Sequence, residues 1–342
     1  MKRAISWLFL LPLIVVMLFV VNLLIGTVSI PVGSICRILL GDDSEPEIWR
    51  NIVFSSRLPQ ALTAVVAGAG LAVSGLQMQT IFRNPLAGPS VLGISNGASL
   101  GVAFVVLLSG SIGGTALSRL GYLGEAAMSI AAIVGAMAVL MLIVWIAQRV
   151  KGNVTLLIIG VMIGYLATAI IGVLKFFSAE EDIRAYVVWG LGSFARVSGD
   201  QMMLFVVLMC VLLPLSMLTV KAMNLYMLGD AYASNLGQNI RRTRLLLIIC
   251  SGTLVAIVTA YCGPVMFIGL AVPHLARSIF RTSDHRVLMP ATMLAGAALA
   301  LLCNLIARMP GFEGALPVNS VTALVGAPII ASVLFRRRKS EG

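Results

Sequence analysis

Ten apolar runs divide this chain, at Ile5–Ile25, Leu58–Ile81, Ser90–Ser109, Glu125–Gln148, Val154–Phe176, Gln201–Val220, Leu245–Cys262, Val265–Phe280, Val287–Ala307 and Leu316–Phe335. Most approach the roughly 20 residues that an α-helix needs to cross a hydrocarbon core about 30 Å thick. Every backbone N–H and C=O in lipid must be bonded within the protein, and the runs read as helices. Composition agrees, with 59% hydrophobic and 11% charged side chains in 342 residues and a mean hydropathy of +1.03. The expected fold class is all-α, a polytopic membrane protein with about ten transmembrane helices and residues 1–342 forming a single transmembrane domain.

Two runs need separate treatment. Lys2 and Arg3 before Ile5–Ile25 resemble the start of a secretory signal. A signal's apolar region is about 7–15 residues long and ends in a small-residue cleavage site, whereas this run continues to Ser29, Ile30 and Pro31, so an uncleaved first helix is expected. Val265–Phe280 is short and carries Pro273 and His274. It reads as the least regular span, with a broken helix as the alternative.

The formal charge of +11 is accounted for by membrane topology rather than nucleic acid. Basic residues lie between the apolar runs, and with a cytoplasmic N-terminus sixteen of the 24 Lys and Arg fall on the inner side. That bias is the orienting signal and places both termini in the cytoplasm. Cys36, Cys210, Cys250, Cys262 and Cys303 show no C-x-x-C pair and no zinc-like spacing with histidine, so no metal site is expected and most read as small apolar residues.

No Asp or Glu occupies the centre of an expected span, where ion-driven carriers usually keep a carboxylate. The chain also lacks a G-x-x-x-x-G-K-[ST] loop, an H-E-x-x-H and a G-x-S-x-G. It is therefore read as a transport subunit rather than an enzyme, with no cofactor of its own, and any nucleotide is bound by a partner. His274 is expected to make a local structural contact instead of relaying protons. Asn153-Val154-Thr155 fits the glycosylation pattern, but at an inner boundary it reads as chance.

The longest polar interruption on the positive side is Met223–Arg244, within a loop at residues 222–244. Leu225, Leu228 and Tyr232 recur at helical spacing, Asn235 and Gly237 supply a stop, and Ile240 restarts the pattern before Arg241, Arg242 and Arg244. This predicts two short helices, against the alternative of a solvated connector. Arg83-Asn84-Pro85-Leu86-Ala87 reads as a rigid inner turn in which Pro85 stops a helix. Gly68, Gly70, Ala72 and Gly75, with Gly97, Gly101, Gly160 and Gly164, are expected to let helix backbones pack closely.

The stretch Arg57–Ala98, RLPQALTAVVAGAGLAVSGLQMQTIFRNPLAGPSVLGISNGA, resembles the signature of the FecCD family, the permease subunits of ATP-binding-cassette importers for iron–siderophores, haem and cobalamin. Trp189-Gly190 with Gly192-Ser193-Phe194, then Leu228-Gly229-Asp230, Leu236-Gly237, Phe267 to Arg277 and Asp284-His285-Arg286 continue the likeness in the family's order. The resemblance implies a type II importer permease fold of ten spans in a bacterial inner membrane. It also implies a second permease subunit, expected to be identical, two ATPase subunits below and a substrate-binding protein outside.

On that resemblance Leu228, Gly229, Asp230, Ala233, Leu236 and Gly237 form coupling helices set in the ATPase. The Arg83, Asn84 and Pro85 turn has ATPase contact as an alternative role. Arg57 and Arg308 match positions that dock the binding protein, read here as exposed cations at the mouth, with helix-end capping as the competing account. Gln60, Asn304 and Ala315-Leu316-Pro317-Val318-Asn319 depart from the family's pattern. An iron chelate is the leading cargo, cobalamin the alternative, and a self-sufficient carrier or channel the reading of a different class.

Overall fold

A computed structural model describes residues 2–42, 44–109, 122–150, 152–197, 199–309 and 316–341, and among these the regular elements are all helical. In chain order they are α1 (Lys2–Leu24), α2 (Val32–Leu39), α3 (Glu47–Ile52), α4 (Leu58–Phe82), α5 (Ile94–Ser109), α6 (Tyr122–Arg149), α7 (Asn153–Phe176) and α8 (Glu180–Gly190). There follow α9 (Gly199–Met217), α10 (Val220–Met227), α11 (Asp230–Asn235), α12 (Ile240–Cys262), α13 (Ile268–Phe280), α14 (His285–Ala307) and α15 (Val318–Glu341). Five helical runs among the described residues are long and apolar enough to cross a membrane alone, and α9 with α10 makes a sixth, bent by 44°. Shorter apolar stretches in α1, α5, α13 and α15 occupy the remaining four places the sequence assigns to spans.

Helix α4 is the axis of the bundle. Nearly all its residues from Pro59 to Phe82 are buried, and it packs against α14, α12, α13 and α9. Glycine makes these contacts close. A Cβ on Gly68 would stand 2.4 Å from the Gly296 carbonyl oxygen in α14, and one on Gly75 would stand 1.7 Å from that of Gly269 in α13. Gly97 and Gly101 in α5 meet Gly135 and Ala131 in α6 in the same way, and Gly160 meets Leu92 and Val91. The small residues thus set backbone against backbone, where dispersion substitutes for the hydrophobic force that lipid removes.

Two local departures from the sequence reading have physical causes. The helix of α4 does not begin at Leu58; with α3 and a π-turn at Val53–Arg57 it runs continuously from Glu47. Pro59 has no N–H to give and crowds the carbonyl four residues back, and a widened turn just before it accommodates both. Helix α13 starts only at Ile268, and its 13 residues extend about 20 Å, short of a full crossing. Gly263 and Phe267 have positive φ, 76° and 68°, and the intervening segment is irregular but tied into the protein, with Met266 N–H donating to Asn319 Oδ1 at 3.2 Å. Irregular backbone at this depth requires such internal partners. Of the segment 315–319, residue 315 lies outside the described residues.

Candidate functional site

Two clusters of polar side chains stand at opposite ends of α4, and the first contains the 222–244 segment. It folds as two short helices, α10 and α11, as the hydrophobic spacing predicts. Leu228 caps the C-terminal end of α10, and Gly229, at φ +99°, reverses the chain before Asp230 opens α11. The exit is a Schellman motif: Gly237 N–H donates to Ser234 O at 2.9 Å and Gln238 N–H to Ala233 O at 3.0 Å. Such a motif requires a left-handed residue at the position Gly237 holds, with φ +81°. Asn239 then caps α12, its side chain accepting from Arg242 N–H at 3.0 Å. Gln238 staples the segment by donating to Ala222 O at 2.8 Å and Thr243 Oγ1 at 3.0 Å.

This bonding divides the segment into an anchored face and a free one. Ala233 and Tyr226 are buried, whereas Met227, Leu228, Tyr232 and Leu236 are about half exposed, Leu228 and Leu236 both at 55%. The free face thus exposes four apolar side chains on a hydrogen-bonded element that Arg241 and Arg242 follow in sequence. Apolar groups gathered in this way mark a protein contact more often than isolated ones do.

The 83–87 turn lies against the anchored face. Arg83 closes α4 in the left-handed conformation, φ 46°, and Asn84 Oδ1 accepts from Leu86 N–H at 2.9 Å. Pro85 O accepts from His274 Nε2 at 2.6 Å, which gives His274 the local contact the sequence reading assigns it. The Arg83 guanidinium pairs with Asp230, donates to Tyr226 O at 3.0 Å and lies 5.0 Å from the centre of the Tyr226 ring.

Sequence reasoning assigns no contact to several residues of this cluster. Asn153, noticed only as a chance glycosylation pattern, donates to Ile81 O at 2.8 Å and to Tyr226 Oη at 3.0 Å. Arg244 donates to Ala147 O at 2.5 Å and Val150 O at 2.6 Å. Asn224 donates to Asp284 Oδ1 at 2.6 Å and accepts from both the backbone and Nδ1 of His285, the latter at 2.7 Å. The Asp284 carboxyl is held below its ordinary value by the Arg286 backbone N–H and then by Asn224. Polar residues at the ends of apolar runs were the available signal, but nothing in the sequence pairs them.

The second cluster, at the far end of α4, corrects the reading of Arg57 and Arg308 as exposed cations. They are only 2% and 7% exposed. Arg57 donates to Leu23 O at 2.8 Å and Leu24 O at 2.9 Å, and also bonds Val28 O. Arg308 donates to Gln60 Oε1 and Asn22 O, each at 2.9 Å. Asn304 donates to Asn22 Oδ1 at 2.9 Å. Buried guanidinium groups need hydrogen-bond partners, and main-chain and amide oxygens supply them here to all but the Arg308 Nε. Both arginines line a cavity of about 270 Å³ together with Ser56, Gln60, Ser193 and Asn304. Among the described residues no three His, Cys, Asp or Glu side chains converge as metal ligands would.

A bundle of apolar spans with an apolar-faced pair of short helices on one side and an arginine-lined cavity on the other is built as a transmembrane permease subunit. The chain belongs to the FecCD transport family, which it matches over residues 13–336, and it is the permease subunit of an ATP-binding-cassette importer. It is 35% identical over 337 residues to the vitamin B12 import system permease protein BtuC of Klebsiella pneumoniae, covering 98% of this chain and 96% of that protein. It is 34% identical over 335 residues to BtuC of Salmonella typhi, with coverage of 98% and 96%. A solved ABC transporter structure of metal-chelate type, in an inward-facing conformation, superimposes with a TM-score of 0.83 at 30% identity, covering 96% of this chain and 98% of that one. PsaBC from Streptococcus pneumoniae, solved with a Fab, shares the fold at a TM-score of 0.51 and 16% identity, with coverage of 87% and 95%.

Proposed function

We propose that this chain is the membrane passage of an ATP-driven importer of a bulky metal chelate, an iron–siderophore or haem, in a bacterial inner membrane. The observation that carries the reading is the rigid α10–α11 element with its exposed apolar face, on a chain that belongs throughout to one permease family. Both termini are cytoplasmic in this reading, and the sixteen-to-eight distribution of basic residues supports that orientation. The α10–α11 element then faces the cytoplasm, where Leu228, Tyr232 and Leu236 seat in an ATPase subunit, and two copies of the chain form the passage.

The opposite, outer face receives a substrate-binding protein over the cavity. Arg57 and Arg308 serve that contact by fixing the cavity wall and lending it positive field rather than by reaching out as free cations. Cobalamin is the second reading of the cargo, and it is favoured by the two relatives named as vitamin B12 permeases.

The test is reconstitution of the permease with its ATPase and binding protein in proteoliposomes, with iron–siderophore, haem and cobalamin offered in turn. ATP-dependent accumulation of one chelate is expected. Accumulation of none of the three, with an active ATPase present, contradicts the proposal.

A further inference from the structure

We infer that Arg83, Tyr226, Asp230 and Asn153 form the mechanical joint through which displacement of the α10–α11 element reaches the buried helix α4. This rests on the proposed ATPase-driven function and deepens it, because it assigns Asp230 an intramolecular task instead of a contact with the motor.

Arg83 first shows that the joint is built. A non-glycine residue in the left-handed region carries a steric cost, and Arg83 adopts it at the end of α4. What the conformation gains is three contacts on one neighbouring element: the Asp230 carboxylate at the start of α11, the Tyr226 carbonyl at the end of α10, and the Tyr226 ring. The guanidinium therefore spans both short helices across Gly229, the residue where they would otherwise hinge. A lone exposed ion pair is worth little, but one planar cation held by a carboxylate, a carbonyl and a ring face fixes orientation as well as distance.

A second connection lies beneath the first. Tyr226 is 1% exposed, and its hydroxyl accepts from Asn153 Nδ2, which also reaches Ile81 O in the last turn of α4. Arg244 donates to Asn153 Oδ1 at 3.4 Å, so the start of α12 holds the same amide. The element thus meets α4 through Arg83 from one side and through Asn153 from the other.

The receiving part suits the task. Helix α4 is buried along nearly its whole length, and Gln60 in it and Arg57 in the π-turn just before it line the cavity at its opposite end. A push at Arg83 is delivered to a rod that ends at the mouth.

Two experiments decide the matter. Hydrogen exchange on the purified full chain should show the amides of 230–235 exchanging roughly five-fold faster in Arg83→Gln, the factor expected for losing a partly exposed ion pair at the upper end of its usual strength. Tyr226→Phe, which keeps the ring and every charge, should do the same to a smaller extent, while the interior of α4 stays protected. Wild-type exchange at 230–235 in both variants overturns the joint.

In the reconstituted complex, Arg83→Gln and Asp230→Asn should each lower substrate transported per ATP hydrolysed by about three-fold or more. ATPase co-purification should be unchanged, and the double variant should be no worse than the more affected single one. Effects that multiply, or loss of the ATPase from Asp230→Asn, overturn the proposal. If the wild-type complex hydrolyses ATP without moving any chelate, the transport reading fails, and the exchange experiment still decides the joint.

Discussion

Replacing Gly75 with alanine probes a close approach of two backbones, that of α4 to α13. The new methyl group would lie 1.7 Å from the Gly269 carbonyl oxygen and 2.5 Å from its carbon. Ordinary contact begins near 3.2–3.5 Å, so α4 and α13 must separate by about 1.5 Å. Helix α13 has little room to retreat, because α14 and α15 pack against it and Phe267, just before it, lies against Gly326. Overpacking of this kind costs about 3 kcal/mol, and the better helix propensity of alanine returns about 1 kcal/mol, leaving a net loss of about 2 kcal/mol. Gly172→Ala is the matched control, since nothing stands within 4 Å of its added Cβ. Unfolding by SDS in mixed micelles, followed by loss of helicity, should place Gly75→Ala well below wild type and Gly172→Ala at or above it. Equal midpoints for the two variants would refute the argument that glycine sets the spacing of α4 and α13.

Gly237→Val forces a β-branched residue to φ +81° and opens the Schellman motif, so it should leave the chain inserted while lowering substrate-stimulated ATP hydrolysis in the reconstituted complex several-fold; unchanged stimulation contradicts the coupling role. Arg308→Ala strips the partner from Gln60 Oε1 and Asn22 O and should cost about 3 kcal/mol in the same SDS titration, whereas a surface cation would cost almost nothing. Asp284→Ala removes the N-cap of α14 and a bond to Asn224, which should cost about 1 kcal/mol at pH 7. Because the folded Asp284 carboxyl titrates below the ordinary 3.8, its stabilisation is present above that value and is lost as pH falls through the lower folded value. The variant and wild type should therefore converge in thermal stability only at strongly acid pH, and convergence near neutrality would contradict the assigned bonds.

The sequence yields what is local or periodic, and it conceals what pairs distant residues. Length and hydropathy place the spans because lipid leaves the backbone no other solution. The two helices of the 222–244 segment are legible because Gly237 and Asn239 act on their immediate neighbours. Arg57 and Arg308 show the limit. A basic residue at the end of an apolar run looks the same whether it reaches headgroups or turns inward, and Asn22, which accepts from Arg308, lies 286 positions away. Gly75 is visible as a small residue, but Gly269 as its counterpart is not. The pairing of Arg83 with Asp230 is equally hidden, since the left-handed turn that brings them together falls on an arginine rather than on a glycine that would announce it.

The central claim is that this chain supplies a passage through lipid and that the work of switching it is delivered by a separate ATPase. Purified permease alone, reconstituted in sealed vesicles with imposed proton and sodium gradients and no nucleotide, should accumulate no chelate above its outside concentration, and adding the ATPase, the binding protein and ATP should start accumulation. Uphill accumulation by the permease alone would contradict the account.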